Sequence, residues 1–132
     1  MGVHGVILPP KRAVHVTPAV VSASAGATEY LKIAIENLAA SIEVIKKADI
    51  WVFGLEDGPD SELISDVDLK REVALVVGAE GQGLRRLVRE ECDLLVRLPM
   101  KGALDSLNAA VAGSIALYSI WQAHGWVGHR AV

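Results

Sequence analysis

At 132 residues, with 52% hydrophobic and 22% charged side chains and a net charge of −3, the chain suits one domain with a substantial core and is too apolar for disorder. The slightly acidic balance excludes a protein whose whole surface grips nucleic acid, so any such contact falls to a local basic patch, a partner copy or another domain. One cysteine, Cys92, excludes an internal disulfide framework and fits a reducing cytoplasm, and no stretch reads as a membrane span or secretory leader.

Residues 3–8 read as a short buried strand ended by Pro9 and Pro10, with Lys11 and Arg12 on the loop beyond. Residues 18–27 are rich in small side chains and predict a helix that stops at Gly26. Leu31, Ile33 and Ile35 alternate with polar or small residues, the period of a strand. Asn37 is a predicted N-cap for a helix to Ala48, since Leu38, Ile42 and Ile45 recur at helical spacing. Lys46 and Lys47 in its last turn complement the helix dipole. Residues 50–54 predict a strand closed by the turn formers Asp57, Gly58, Pro59 and Asp60, and 61–71 a polar loop with a short helix. A buried strand follows at 73–77, then a helix over 84–91 with Leu84, Leu87 and Val88 inward, then a last strand at 94–98. Residues 106–123 predict a long helix, with Leu107, Val111, Ile115, Tyr118 and Trp121 on related faces. It is apolar almost all round, which predicts burial on more than one side and makes it a suitable interface element. Residues 124–132 read as a frayed tail. Strands alternating with helices imply an α/β domain over 1–123, with a mainly parallel sheet flanked by helices.

Two loops stand out. Residues 78–84, GAEGQGL, follow the strand 73–77, and residues 98–108, LPMKGALDSLN, follow the last strand and run into the long helix. Backbone N–H groups converge at such junctions, and parallel sheets bind ligands beyond the carboxyl ends of their strands. Asp105, Ser106 and Asn108 are good capping residues, but capping does not explain the order of Pro99, Met100 and Gly102 before them. The glycines of the first loop fall as G-x-x-G-x-G, not as a dinucleotide fingerprint, and no Walker lysine follows. Arg85, Arg86 and Arg89 cluster on the helix that leaves this loop. With Lys101, Lys11 and Arg12 they form a candidate phosphate-binding rim; the plainer reading is a solvated helix face. His4, His15, His124 and His129 show no metal-ligand spacing, Cys92 reads as a small buried hydrophobe, and Trp51, Trp121 and Trp126 read as packing residues.

VVGAEGQGL followed by LPMKGALDSLN resembles the later motifs of the SpoU (TrmH-like) RNA ribose 2′-O-methyltransferases of the SPOUT superfamily: a hydrophobic strand, G-x-E-x-x-G, then I/L-P-M-x-G-x-x-x-S-L-N. Cys92-Asp93 fits as well, as do Ser24-Ala25-Gly26-Ala27 and Tyr30-Leu31, so the resemblance spans nearly the whole chain. It implies a SPOUT-type fold whose C-terminal trefoil knot forms the cofactor pocket, against the general rarity of knots. It further implies S-adenosylmethionine as methyl donor, no metal, rRNA or tRNA as substrate, and a homodimer. Carried onto this sequence, the cofactor contacts fall on Leu55, on Gly78, Ala79, Gly81 and Gly83, and on Leu98, Met100, Ser106 and Leu107. Their glycines allow close backbone approach, and Leu98, Met100 and Leu107 offer apolar walls for an adenine. Glu80, Ser106 and Asn108 take the catalytic positions, while Arg85, Arg86, Arg89 and Lys101 are the candidate RNA contacts. Glu80 would orient the ribose or a basic partner; its plainer reading is an acid favoured by a helix N-terminus. The family carries an earlier motif, with an Asn and an Arg, just before a segment like residues 2–9. The sequence begins at that segment, so the first strand and helix are expected to be missing, and the motif-borne Arg favoured as general base has no assigned counterpart. The rival expectation is therefore a non-catalytic cofactor- or RNA-binding fragment.

Overall fold

A computed structural model describes residues 1–11, 15–103 and 106–130; Arg12 and Asp105 lie outside the described residues. The chain divides into two compact units, Gly2–Ser41 and Ile42–Val132.

The first unit is built on a two-stranded parallel sheet of β1 (Gly5–Leu8) and β2 (Lys32–Ile35), in register from Gly5 with Lys32 to Leu8 with Ile35. Helix α1 (Pro18–Ala23) is shorter than its composition predicts. Thr17 caps it, its hydroxyl accepting from Val20 N at 3.3 Å, and Pro18 opens it, where a missing N–H costs nothing. The helix ends because Ala25 and Gly26 turn into the left-handed region at φ 50° and 78°; a short 3₁₀ turn, Ala27–Glu29, follows. Asn37 caps α2 (Leu38–Lys47) as predicted, its side-chain oxygen accepting from Ala40 N at 3.1 Å.

The second unit is a four-stranded, wholly parallel sheet in the order β4-β6-β3-β5. Its strands are β3 (Trp51–Leu55), β4 (Glu62–Leu63), β5 (Val73–Val77) and β6 (Leu94–Arg97), with α3 (Arg86–Glu91) before β6 and α4 (Ala109–Ala123) after it. The apolar runs of β3, β5 and β6 are those of strands covered on both faces. Val52, Phe53 and Val96 are fully enclosed, and Phe53 and Val96 join Ile64, Leu69 and Ala116 in one core cluster. Gly54 lies where nothing larger fits: a Cβ there would meet Leu84, Leu95 and Cys92 at 2.7–3.0 Å. Asp93 pins the start of β6 to β3 twice, accepting from Val52 N through its carboxylate and donating its own N–H to Val52 O, both at 2.8 Å.

Several expectations are corrected. Residues 61–71 hold no helix but the two-residue strand β4, which adds to the sheet edge beside β6. Leu87 does not face inward; it is 58% exposed, because α3 is under two turns long and only Leu84 and Val88 reach the core. Helix α4 begins at Ala109 rather than at residue 106, and only Gly113 and Ala116 of it are buried. Residues 124–130 are not a frayed tail. Trp121 Nε1 donates to Val127 O at 2.9 Å, Trp126 stacks against both Tyr118 and Trp121 at 4.9 Å, and the His124 ring meets Arg71 O at 3.2 Å. All three tryptophans pack, Trp51 beneath the Arg71 guanidinium at 4.0 Å. Among the described residues no helix is long and apolar enough to cross a membrane.

Candidate functional site

Strand register decides where the loops meet. Leu55, the last residue of β3, lies opposite Val77, the last of β5, and opposite Val96 of β6. Because the strands are parallel, the segments starting at Glu56, Gly78 and Leu98 leave the sheet side by side at one edge. A ligand site in an open parallel sheet belongs at that edge.

Of these segments, 78–83 closes on itself. Gly83 N donates to Ala79 O at 3.0 Å and Gln82 N to the same oxygen at 3.2 Å. Gly81 and Gly83 turn at φ 74° and 64°. Gly78 has no room for any side chain, since a Cβ would stand 2.3 Å from the Gly83 carbonyl carbon. The glycines thus serve one tight turn with its backbone bare, at the positions the motif predicts.

Asn108, just before α4, meets this turn through its side chain: Asn108 Nδ2 donates to Glu80 Oε1 at 3.3 Å. Asn108 is also the N-cap of α4, its oxygen accepting from Ala110 N at 3.0 Å and Val111 N at 3.3 Å. One amide therefore sets the helix start with its oxygen and holds the Glu80 carboxylate with its nitrogen. Ser106, Met100 and Lys101 are exposed. Leu98, Pro99 and Leu107 line an open cleft of about 540 Å³ together with Ile64, Val67 and Ile115. Leu55 instead packs against the core cluster. Of the predicted cofactor contacts, the structure joins Gly78, Ala79, Gly81 and Gly83 in the turn and Leu98 and Leu107 in the cleft.

The basic cluster is rearranged by its neighbours. Arg86 pairs with Glu90 at 3.0 Å, and Arg89 donates to Glu56 at 2.6 Å and to Asp60 at 2.8 Å. Those hydrogen bonds, to Asp60 first and Glu56 second, raise the Arg89 pKa further. Arg89 is thus committed within the protein and Arg86 is half neutralised, while Arg85, Lys101 and Lys11 of the rim expected from the sequence are exposed. The sequence marks Asp60 only as a turn former and gives Glu56 no role. The signal was present as an acidic run leaving one strand and a basic helix following its neighbour, but only the register puts the two at one edge.

The described fold is shared with solved proteins. The model of the SpoU rRNA Methylase family matches residues 1–118. YacO of Bacillus subtilis, a TrmH-family protein, is 42% identical over 129 residues, 97% of this chain and 51% of YacO. The 23S rRNA (guanosine-2′-O-)-methyltransferase RlmB of Xylella fastidiosa is 44% identical over 118 residues, 89% of this chain and 47% of RlmB. The SpoU methyltransferase AviRb of Streptomyces viridochromogenes, solved with S-adenosylmethionine, superposes with a TM-score of 0.81 at 26% identity, covering 92% of this chain and 50% of AviRb. The chain spans about half the length of the curated relatives it matches. Matched by the family's model over residues 1–118 and in fold over 92% of its length, the chain belongs to the SpoU rRNA Methylase family.

Proposed function

We propose that the chain forms the cofactor-binding part of an enzyme that methylates a ribose 2′-hydroxyl of rRNA or tRNA with S-adenosylmethionine. The observation that carries the reading is the meeting of the two motif loops, with the Asn108 amide 3.3 Å from the Glu80 carboxylate at the carboxyl edge of the sheet. The residues fit such a cofactor. The turn 78–83 offers bare backbone for polar edges, and Leu98, Pro99 and Leu107 offer apolar surface suited to an adenine. When bound, the sulfonium supplies an already activated methyl group. Glu80, held by Asn108, accepts a hydrogen bond from the ribose or from a basic partner and so orients the hydroxyl. Ser106, two residues before Asn108 in sequence, is a further hydrogen-bonding group. Arg85 and Lys101 contact phosphates without reading sequence.

In this reading the segment after β6 threads a trefoil knot whose wall is the pocket, and a second copy of the chain covers α4. The support for the second copy is the stripe of Val111, Ile115 and Tyr118, which leaves 48%, 43% and 51% of these apolar or aromatic residues exposed. Calorimetric titration with S-adenosylmethionine and S-adenosylhomocysteine tests the reading. Saturable binding that is lost in Gly81→Trp is expected, since the new side chain would leave a backbone at φ 74° into open space at the turn. No binding by the folded chain would overturn it. Cofactor binding without transfer to a 2′-hydroxyl would favour the non-catalytic fragment.

A further inference from the structure

We propose that Arg89 is a positioning residue: its guanidinium fastens the loop leaving β3 to α3 and so holds the turn 78–83 in shape. The two nitrogens are spent on two different carboxylates, Nε on Glu56 Oε2 at 2.6 Å and one terminal nitrogen on Asp60 Oδ2 at 2.8 Å. The planar fork sets the angle between these bonds, which a lysine ammonium cannot do. Glu56 is otherwise anchored by its backbone, donating to Val96 O at 3.0 Å. The far end of the loop is closed by Ser61, whose hydroxyl accepts from Gly58 N at 3.1 Å and donates to Gly58 O at 2.6 Å. Arg89 therefore ties down two of the three carboxylates, Glu56 and Asp60, of a loop whose backbone is fixed at each end.

The consequence reaches the turn through the other oxygen of Glu56. A Cβ on Gly83 would stand 3.2 Å from Glu56 Oε1, so the carboxylate held by Arg89 is the wall against which the turn closes. Helix α3, which carries Arg89, starts at Arg86, directly after the same turn. The local charge argues against a phosphate contact here. One guanidinium faces two carboxylates, leaving a net negative charge that repels a nucleic-acid backbone. The effect on cofactor binding rests on the methyltransferase reading, because the loops held by Arg89 are those assigned to the cofactor.

The test is amide hydrogen exchange on the chain and on Arg89→Leu, Arg89→Lys and the charge-swapped double variant Glu56→Arg/Arg89→Glu, with titration of S-adenosylhomocysteine on each. In Arg89→Leu, exchange over 56–61 and 79–84 is expected to rise on the order of tenfold while β3, β6 and α4 stay protected, with a similar loss of cofactor affinity. Arg89→Lys restores neither, and the charge swap restores part of both. Unchanged loop exchange in Arg89→Leu overturns the proposal, as does faster exchange spread evenly over the sheet. A wild-type chain that binds the cofactor, with Arg89→Leu binding equally well, also overturns it. If the wild type takes up no cofactor, the methyltransferase reading fails, and the exchange measurement still decides whether Arg89 fastens the loop.

Discussion

Arg89 is one of three arginines within five positions, yet it carries no free charge, because Glu56 and Asp60 meet it from a segment about thirty residues earlier. Lys46 shows the same rerouting. Its ammonium does not simply sit at the end of α2 but donates to Glu91 O at 3.1 Å and pairs with Asp93 at 3.4 Å, satisfying the end of α3. Cys92 matches its reading as a small hydrophobe: it packs near Gly54, and its thiol donates to Val88 O at 3.2 Å. Burial, with Asp93 next, pushes the Cys92 thiol up to about 11 from 9.0. The folded chain then keeps this proton where the unfolded chain has lost it. The associated stability is fully present below pH 9 and is lost as the pH rises through about 11. Alkylation of the native chain is therefore expected to be slow at pH 8 and to rise with a midpoint near 11, whereas in denaturant it follows an ordinary thiol. A native midpoint near 9 would show the thiol to be open to water.

Asn108 carries two roles within one element, and substitution separates them. Asn108→Ala loses the cap of α4 and the bond to Glu80, and is expected to cost about 1 kcal/mol of stability. Asn108→Asp keeps an oxygen for Ala110 N and Val111 N but sets a second carboxylate against Glu80. Its stability is expected to stay closer to that of the wild type, while cofactor or substrate binding falls as far as in the alanine variant. Urea unfolding alongside titration checks this; equal stability losses in the two variants would remove the cap from the account. The failures of the periodic reading at this scale have one cause. Leu87 and β4 belong to elements of six and two residues, too short for a pattern to show which face is covered.

For the whole molecule, α4 is the place where sequence and structure disagree most usefully. Its composition predicts burial on more than one side, and Val111, Ile115 and Tyr118 stay open at helical spacing along one side. In the proposed dimer this stripe is covered by its own symmetry mate. Val111→Glu is expected to give a monomer by sedimentation velocity where the wild type sediments as a dimer, with the fold retained because Val111 lies outside the core cluster. A wild-type monomer, or a dimer that survives the substitution, would remove α4 from the interface.

Much of this molecule was decided by local sequence. Val73–Val77 is a strand at the residues its β-branched run indicates, Asn37 caps its helix, Gly78 sits where no side chain fits, and Gly81 and Gly83 sit where the turn needs a positive φ. Each of these follows from the chemistry of a few consecutive residues. What only the tertiary structure decided was adjacency. The register that sets Leu55 beside Val77 and Val96 brings Asn108 to Glu80 and places Arg89 against Glu56 and Asp60. No periodicity encodes those contacts, because each joins a residue to a partner chosen by strand pairing and packing rather than by its neighbours along the chain.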